Sequence, residues 1–160
     1  MKNLLKILGL GLLLLIAVIL FHTFTFTSQQ IQVDPIKPID ISKGAIPRFQ
    51  GAIKFQTVSH TDRTKIDSLP FLELHEYLAE SFPLIDSLLE KKMFGHSLLF
   101  EWKGTDPSVQ PVVFMSHQDV VPVDMVTIDD WEVAPFSGEI KNGNVYGRGT
   151  MDDKVTMLAI

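Results

Sequence analysis

A histidine followed two residues later by an aspartate is the segment of this chain best suited to chemistry. Ser116-His117-Gln118-Asp119 follows residues 111–115 (PVVFM), whose unbroken apolar run predicts a strand buried on both faces. If the chain stays extended, His117 and Asp119 project to the same side. The carboxylate can then orient an imidazole that ligates a metal, or the pair can act as a base with its orienting acid. A His-x-Asp alone also fits a hydrogen-bonded surface or core histidine.

The second segment suited to chemistry is the glycine-rich acidic run GRGTMDDK at residues 147–154. Its glycines permit a tight turn, and Asp152 and Asp153 arrive where the sequence predicts the start of a helix. Each aspartate taken separately also fits a helix cap. The spacing differs from that of a phosphate loop, and two carboxylates would repel phosphate. Two acids together with a His-x-Asp favour a cation site.

Composition narrows what such a site can hold. The 160 residues carry a net charge of -5 and no cysteine. Disulfides, thiolate metal sites and a cysteine nucleophile are therefore excluded, so a transition metal would have to be bound by His, Asp and Glu. The acidic balance, without a basic patch, predicts no nucleic-acid partner.

The amino terminus predicts a membrane segment. Residues 7–21 form an unbroken run of apolar residues and glycine, and Lys2 and Lys6 precede it. Residues 1–28 are therefore predicted to be a membrane anchor or a signal segment. The bulky residues 21–24 (FHTF) lack a small-x-small cleavage site, which favours a retained anchor. The positive-inside rule then places the rest of the chain outside the cytoplasm, in a periplasmic, lumenal or extracellular compartment.

The rest of the chain predicts a linker and one α/β domain. Residues 29–43 contain Pro35 and Pro38 and show no periodicity, as expected of a linker, and the domain occupies residues 44–160. Hydrophobic spacing predicts helices and strands in the following order: helices over 45–56, 71–82 and 84–89, strands over 98–102 and 111–115, a hairpin around 139–146, and a helix beginning at 152.

Three motifs, in this order, give the domain a specific resemblance. Residues 113–122 (VFMSHQDVVP), residues 131–138 (WEVAPFSG) and residues 142–154 (NGNVYGRGTMDDK) resemble the dinuclear zinc metallopeptidase family of carboxypeptidase S, aminoacylase and glutamate carboxypeptidase. Residues 106–108 (DPS) and 131–136 are most similar to the branch of carboxypeptidase S and the N-fatty-acyl-amino-acid amidases. The resemblance covers residues 45–160 and is densest from residue 111 onward.

The resemblance implies a fold, a chemistry and roles for three residues. It implies the N-terminal part of a zinc-peptidase-like α/β catalytic domain, with a central and mostly parallel sheet, preceded by one transmembrane helix. His117 would ligate one zinc, Asp119 would orient His117 as a catalytic residue, and Asp152 would bridge two Zn²⁺ ions. The implied reaction is zinc-dependent hydrolysis of a peptide or an N-acyl-amino-acid amide bond.

In the family, the general base, the other metal ligands and a smaller domain follow later in the chain. We therefore expect these 160 residues to be an incomplete enzyme that is inactive alone, and a homodimer, if one forms, to use the missing domain. The alternative is a membrane-anchored, non-catalytic module with a residual metal-binding surface. A calcium-binding domain is disfavoured, because no Asp-x-Asp-x-Asp-Gly loop occurs and imidazole suits a hard cation poorly.

Overall fold

A computed structural model describes residues 2–37 and 39–160. The chain divides into two units, Met1–Asp40 and Ile41–Ile160. Met1 of the predicted membrane segment and Pro38 of the predicted linker lie outside the described residues.

The first unit is one long apolar helix followed by extended chain. Helix α1 spans Lys2–Thr25, because its leucine-rich sequence favours helix and contains no proline. Its 24 residues give a length of about 36 Å at 1.5 Å per residue. It is long and apolar enough to cross a membrane, a test that a signal sequence passes as well. Residues 26–37, where the predicted linker begins, form neither helix nor strand.

The second unit mixes short helices with short antiparallel strands, which confirms an α/β composition in the broad sense. Its elements in chain order are α2 (Ala45–Ile53), a 3-10 turn (Arg63–Lys65), α3 (Leu69–Ser81), α4 (Pro83–Leu88), β1 (Glu90–Phe94), β2 (Ser97–Glu101), a 3-10 helix (Met125–Asp130), β3 (Ile140–Lys141), β4 (Asn144–Val145) and α5 (Lys154–Ala159). Strand β1 pairs with β2, and β3 pairs with β4, both antiparallel. The predicted helices and the predicted hairpin are present, with α2 ending three residues earlier than predicted.

The predicted buried strand over residues 111–115 is wrong. These residues form no strand, and Val112 and Met115 are 77% and 82% exposed. A strand needs neighbours that take its backbone hydrogen bonds, whereas each of the four strands here pairs within its own hairpin. The described residues therefore contain two antiparallel two-stranded sheets and lack the mostly parallel central sheet that was predicted. Among the residues that the structure describes, parallel pairing is limited to one isolated bridge, between Val58 and Val120.

That bridge joins the amino-terminal part of the second unit to the segment after residue 115. The Ser59 amide donates to the Val120 carbonyl at 3.0 Å, and the Val120 amide donates to the Thr57 carbonyl at 2.9 Å. The buried Thr57 hydroxyl adds a bond to the Gln118 carbonyl at 2.6 Å. Val120 is itself 3% exposed, so hydrogen bonding and apolar burial both hold this segment in place.

A small core surrounds the bridge and contains a lysine. Its apolar members are Ala52, Ile53, Phe71, Leu74 and Val120. Lys154 is fully buried, and its ammonium donates to the Ala52 and Phe55 carbonyls at 3.0 and 2.6 Å. These carbonyls lie at and just beyond the end of α2, where a cation also complements the helix dipole. Burial lowers the pKa of Lys154 from its ordinary 10.5 to about 8. Lys154 thereby ties the start of α5 to the end of α2.

Gly149 lets the acidic loop approach the bridge closely. Its φ of +88° lies in the left-handed region, and a Cβ there would stand 2.6 Å from Val120 Cγ1. Glycine meets both constraints, because it tolerates positive φ and has no side chain. Gly143, in the hairpin turn, also has a positive φ, of +79°, but a Cβ there would have open space.

Gly149→Ala should therefore destabilise the fold more than Gly143→Ala does. Both substitutions incur the backbone cost of a left-handed residue, about 1–2 kcal/mol, but Gly149→Ala also forces the loop away from Val120, which adds about 1–3 kcal/mol of overpacking. Urea unfolding of the full chain in mild detergent, followed by tryptophan fluorescence, measures both. Equal losses in the free energy of unfolding of the two variants would show that Gly149 does not pack against Val120.

Candidate metal centre

Both ring nitrogens of His117 have hydrogen-bond partners. Its Nδ1 lies 2.9 Å from the Asp119 main-chain carbonyl and 3.3 Å from Asp119 Oδ1, and its Nε2 lies 2.8 Å from Asp152 Oδ1. A carbonyl oxygen can only accept, so we assign the Nδ1 hydrogen to the bond with Asp119. In the neutral imidazole, the Nε2 lone pair then faces a carboxylate. This arrangement calls for a positive charge between the two groups, either a proton or a metal ion.

The electrostatics of His117 follow from these contacts. The hydrogen bond with Asp152 is the largest cause that raises the pKa of His117 above its ordinary 6.5. Partial burial opposes this shift, while the Asp119 carbonyl and the two carboxylate charges add to it. The site therefore stabilises a cation at Nε2.

The acidic loop places Asp152 against the imidazole. The Lys154 amide donates to the Gly149 carbonyl at 3.0 Å, which closes the turn. Asp152 is followed by a cis peptide bond to Asp153, and Asp153 Oδ2 accepts the His117 main-chain amide at 3.4 Å. The Asp152 side chain is 91% exposed, against 48% for His117. Asp152 can thus reach a cation from the solvent side, while Asp153 contacts the backbone.

The three predicted site residues line one small depression. His117, Asp119 and Asp152 surround about 260 Å³ together with Val120, Val121 and the loop before Asp152. This volume is below the usual range for a drug-sized ligand, but it suffices for an ion and its water ligands. The structure therefore brings together the residues that the sequence singled out.

These residues fit a zinc ion in chemical type. Imidazole nitrogen and carboxylate oxygen are zinc ligands, and an imidazole that is oriented through its other nitrogen is typical of metal sites. Within residues 2–37 and 39–160, no group of three His, Cys, Asp or Glu side chains is close enough to hold a metal ion. A catalytic zinc takes three protein ligands, so the fit is to part of a coordination shell.

Two contacts that support the site join residues far apart in the sequence, so no local sequence pattern could have identified them. The Ser59 hydroxyl donates to Asp119 Oδ2 from 60 residues away, and Lys154 reaches the end of α2 across about a hundred residues. Of the other histidines, His75 Nε2 lies 2.8 Å from Gln118 Oε1, and the side-chain amide of Gln118 donates to the main-chain carbonyl of His96. These two histidines therefore contact Gln118 and leave the pairing of His117 with Asp152 unchanged.

Comparison with known proteins matches the sequence of this segment to a family. Residues 113–160 match the model described as Peptidase family M20/M25/M40. The chain is 42% identical over 69% of its length to "Probable carboxypeptidase S-like 1" of Dictyostelium discoideum, of which the match covers 22%. It is 34% identical over 99% of its length to "Probable carboxypeptidase S-like 2" of the same organism, covering 32% of it. It is also 33% identical over 94% of its length to "N-fatty-acyl-amino acid synthase/hydrolase PM20D1" of Xenopus tropicalis, covering 30% of it.

These matches confirm the predicted family and branch. The chain belongs to peptidase family M20/M25/M40 and is related to its carboxypeptidase S and N-fatty-acyl-amino acid synthase/hydrolase members. The relatives are named as hydrolases, as predicted, and peptidases of this family are generally metal-dependent. The chain spans about a fifth to a third of the length of the relatives it matches.

The pKa of His117 in the metal-free protein should depend on Asp152. Imidazole NMR of the full chain, in detergent with a chelator, should give a pKa above 6.5 that falls in Asp152→Asn. Asp153→Asn is the matched control, because Asp153 meets the His117 backbone, and it should leave the pKa raised.

The pairing of His117 with Asp152 also makes the stability of the fold depend on pH, in a direction that follows from the raised pKa. Because folding raises this pKa, the pair stabilises the fold below about pH 6.5, and this contribution is lost as the pH rises through the raised value. An unchanged pKa in Asp152→Asn would contradict the pairing.

Proposed function

We propose that this chain is part of a zinc-dependent hydrolase of peptide or N-acyl-amino-acid amide bonds. The proposal rests on the distance of 2.8 Å between His117 Nε2 and Asp152 Oδ1. Both residues lie within the segment that matches the peptidase family. The names of the relatives support both substrate classes, since they include carboxypeptidases and N-fatty-acyl-amino acid synthase/hydrolases.

The proposed roles follow the contacts at the site. His117 and Asp152 are metal ligands, and Asp119 keeps the imidazole in the tautomer whose Nε2 is free to bind. Asp152 would hold metal with its carboxylate in the complete site, where the family resemblance implies two Zn²⁺ ions, a role that suits a largely exposed carboxylate with two oxygens. When bound, zinc polarises the scissile carbonyl and activates water at neutral pH. The general base and the remaining ligands come from outside the residues described, and a homodimer would form through a further domain.

A second function competes with the first. The described part of the chain brings together two metal-ligating side chains facing each other, His117 and Asp152, and no group of three. This supports the alternative of a membrane-anchored, non-catalytic module with a residual metal-binding surface. Such a module needs no general base, so it would bind zinc without hydrolysing an amide.

For the amino terminus, we propose a retained anchor with the catalytic domain outside the cytoplasm. The apolar α1, with Lys2 and Lys6 at its amino-terminal end, supports this orientation. The expressed protein should stay in the membrane pellet after an alkaline wash, and its intact mass should include residues 1–28. A soluble product that begins near residue 28 would show a cleaved signal segment instead.

Zinc binding should depend on His117 and Asp152 and not on an unrelated histidine. His117→Ala and Asp152→Ala should each weaken Zn²⁺ binding at least about tenfold, because each removes one ligand. His60 is exposed and lies outside the depression that His117 and Asp152 line, so His60→Ala should leave the affinity unchanged. Competition with a chromophoric chelator measures the affinity of the full chain in detergent.

Hydrolysis is tested on the protein made from the complete reading frame that contains this chain. We expect it to cleave dipeptides or N-fatty-acyl amino acids, and to lose this activity in both ligand variants. Unchanged zinc affinity in both variants would refute the metal site. Zinc binding that depends on both residues, with no hydrolysis, would favour the non-catalytic module.

A further inference from the structure

Ser59 contacts the candidate metal centre from a distant part of the chain. Its hydroxyl donates to Asp119 Oδ2 at 2.5 Å, and its backbone amide donates to the Val120 carbonyl at 3.0 Å. The backbone bond is part of the parallel bridge, which fixes where the hydroxyl lies. Ser59 therefore reaches the carboxylate as a consequence of the fold.

The Asp119 carboxylate needs a partner in order to keep its orientation. Its side chain is 42% exposed, and Oδ1 stands 3.3 Å from His117 Nδ1, which is long for a strong hydrogen bond. A half-exposed carboxylate can rotate away from the imidazole towards water. The Ser59 hydroxyl holds Oδ2 and so keeps Oδ1 facing Nδ1.

The contacts form one continuous chain of groups. It runs from the Ser59 hydroxyl to the Asp119 carboxylate, whose Oδ1 stands 3.3 Å from His117 Nδ1, and from the other ring nitrogen to the Asp152 carboxylate. The Asp119 main-chain carbonyl, at 2.9 Å, accepts the Nδ1 hydrogen, and the carboxylate adds its charge beside that bond. Groups that orient a metal-binding imidazole from behind typically change metal affinity by 10- to 100-fold when they are removed.

We infer that Ser59 is a positioning residue of the metal centre, which acts on His117 through Asp119. This inference rests on the proposed function, because it takes His117 as a metal ligand. The Ser59 hydroxyl donates to Asp119 and not to a proposed ligand atom, so we expect it to act through the orientation and basicity of the imidazole.

Thr57 provides a matched control for a structural effect. It lies two residues before Ser59 on the same bridging segment, and its hydroxyl also donates to the 118–120 segment, at the Gln118 carbonyl. Thr57→Val therefore removes a comparable hydroxyl bond between the same two segments without touching Asp119. Any loss of Zn²⁺ affinity that is caused by weakening the bridge itself should appear in this variant.

The test measures Zn²⁺ affinity and thermal unfolding of the full chain in detergent. Ser59→Ala should weaken Zn²⁺ binding about tenfold or more, and Ser59→Thr, which keeps a hydroxyl, should restore it to within about threefold. Thr57→Val should lower the unfolding temperature and leave the affinity unchanged. In an Asp119→Asn background, Ser59→Ala should have little further effect, because the contact through which it acts has already been altered.

Several results would overturn the inference. One is a wild-type affinity in Ser59→Ala while His117→Ala still loses zinc. Another is an equal loss of affinity in Ser59→Ala and Thr57→Val, or a full additional loss when Ser59→Ala is combined with Asp119→Asn. If Ser59→Ala does not fold, Ser59→Cys takes its place, with the same expected loss because a thiol is a weak donor. If His117→Ala retains zinc, the proposed function fails, and with it the premise of this inference.

Discussion

The parallel pairing of residues 57–59 with residues 118–120 is the constraint on which the site depends. Two backbone hydrogen bonds fix the second segment, which His117 directly precedes. The Thr57 hydroxyl adds to the stability of the pairing. The same pairing brings Ser59 to Asp119, and it presents Val120 as the surface on which Gly149 packs. A bridge of a few residues thus sets the position of the imidazole, of its orienting carboxylate and of the loop that carries Asp152.

The acidic loop is held by a second and different interaction. Lys154 is buried with its ammonium on the carbonyls at the end of α2, so the loop is fixed by a charge that neutralises helix-terminal dipoles. The loop can therefore leave Asp152 exposed without losing its own position. Asp152 faces His117 because two separate anchors converge, one in the bridge and one in the core. This rigidity suits a site that has to bind a cation with a preformed pair of side chains.

Local patterns predicted the parts of the fold that depend on local physics. The spacing of apolar residues predicted α2 and α3, and the turn sequence around Gly143 predicted the hairpin. The prediction of a buried strand over residues 111–115 was wrong, because an apolar run indicates a preference for burial and cannot specify which strand pairs with it. For the site, the family resemblance identified His117, Asp119 and Asp152. Lys154 lies within the same motif but had no assigned role, and the sequence did not single out Ser59, because the contacts of both residues join positions about 60 to 100 residues apart.

The proposed function requires that His117 and Asp152 bind the same metal ion. Anomalous diffraction at the zinc edge, from crystals of the zinc-loaded protein, tests it most directly. If both residues are ligands, a peak lies about 2.0–2.2 Å from both His117 Nε2 and an oxygen of Asp152. A peak at another histidine, with the hydrogen bond between His117 and Asp152 still intact, would contradict it.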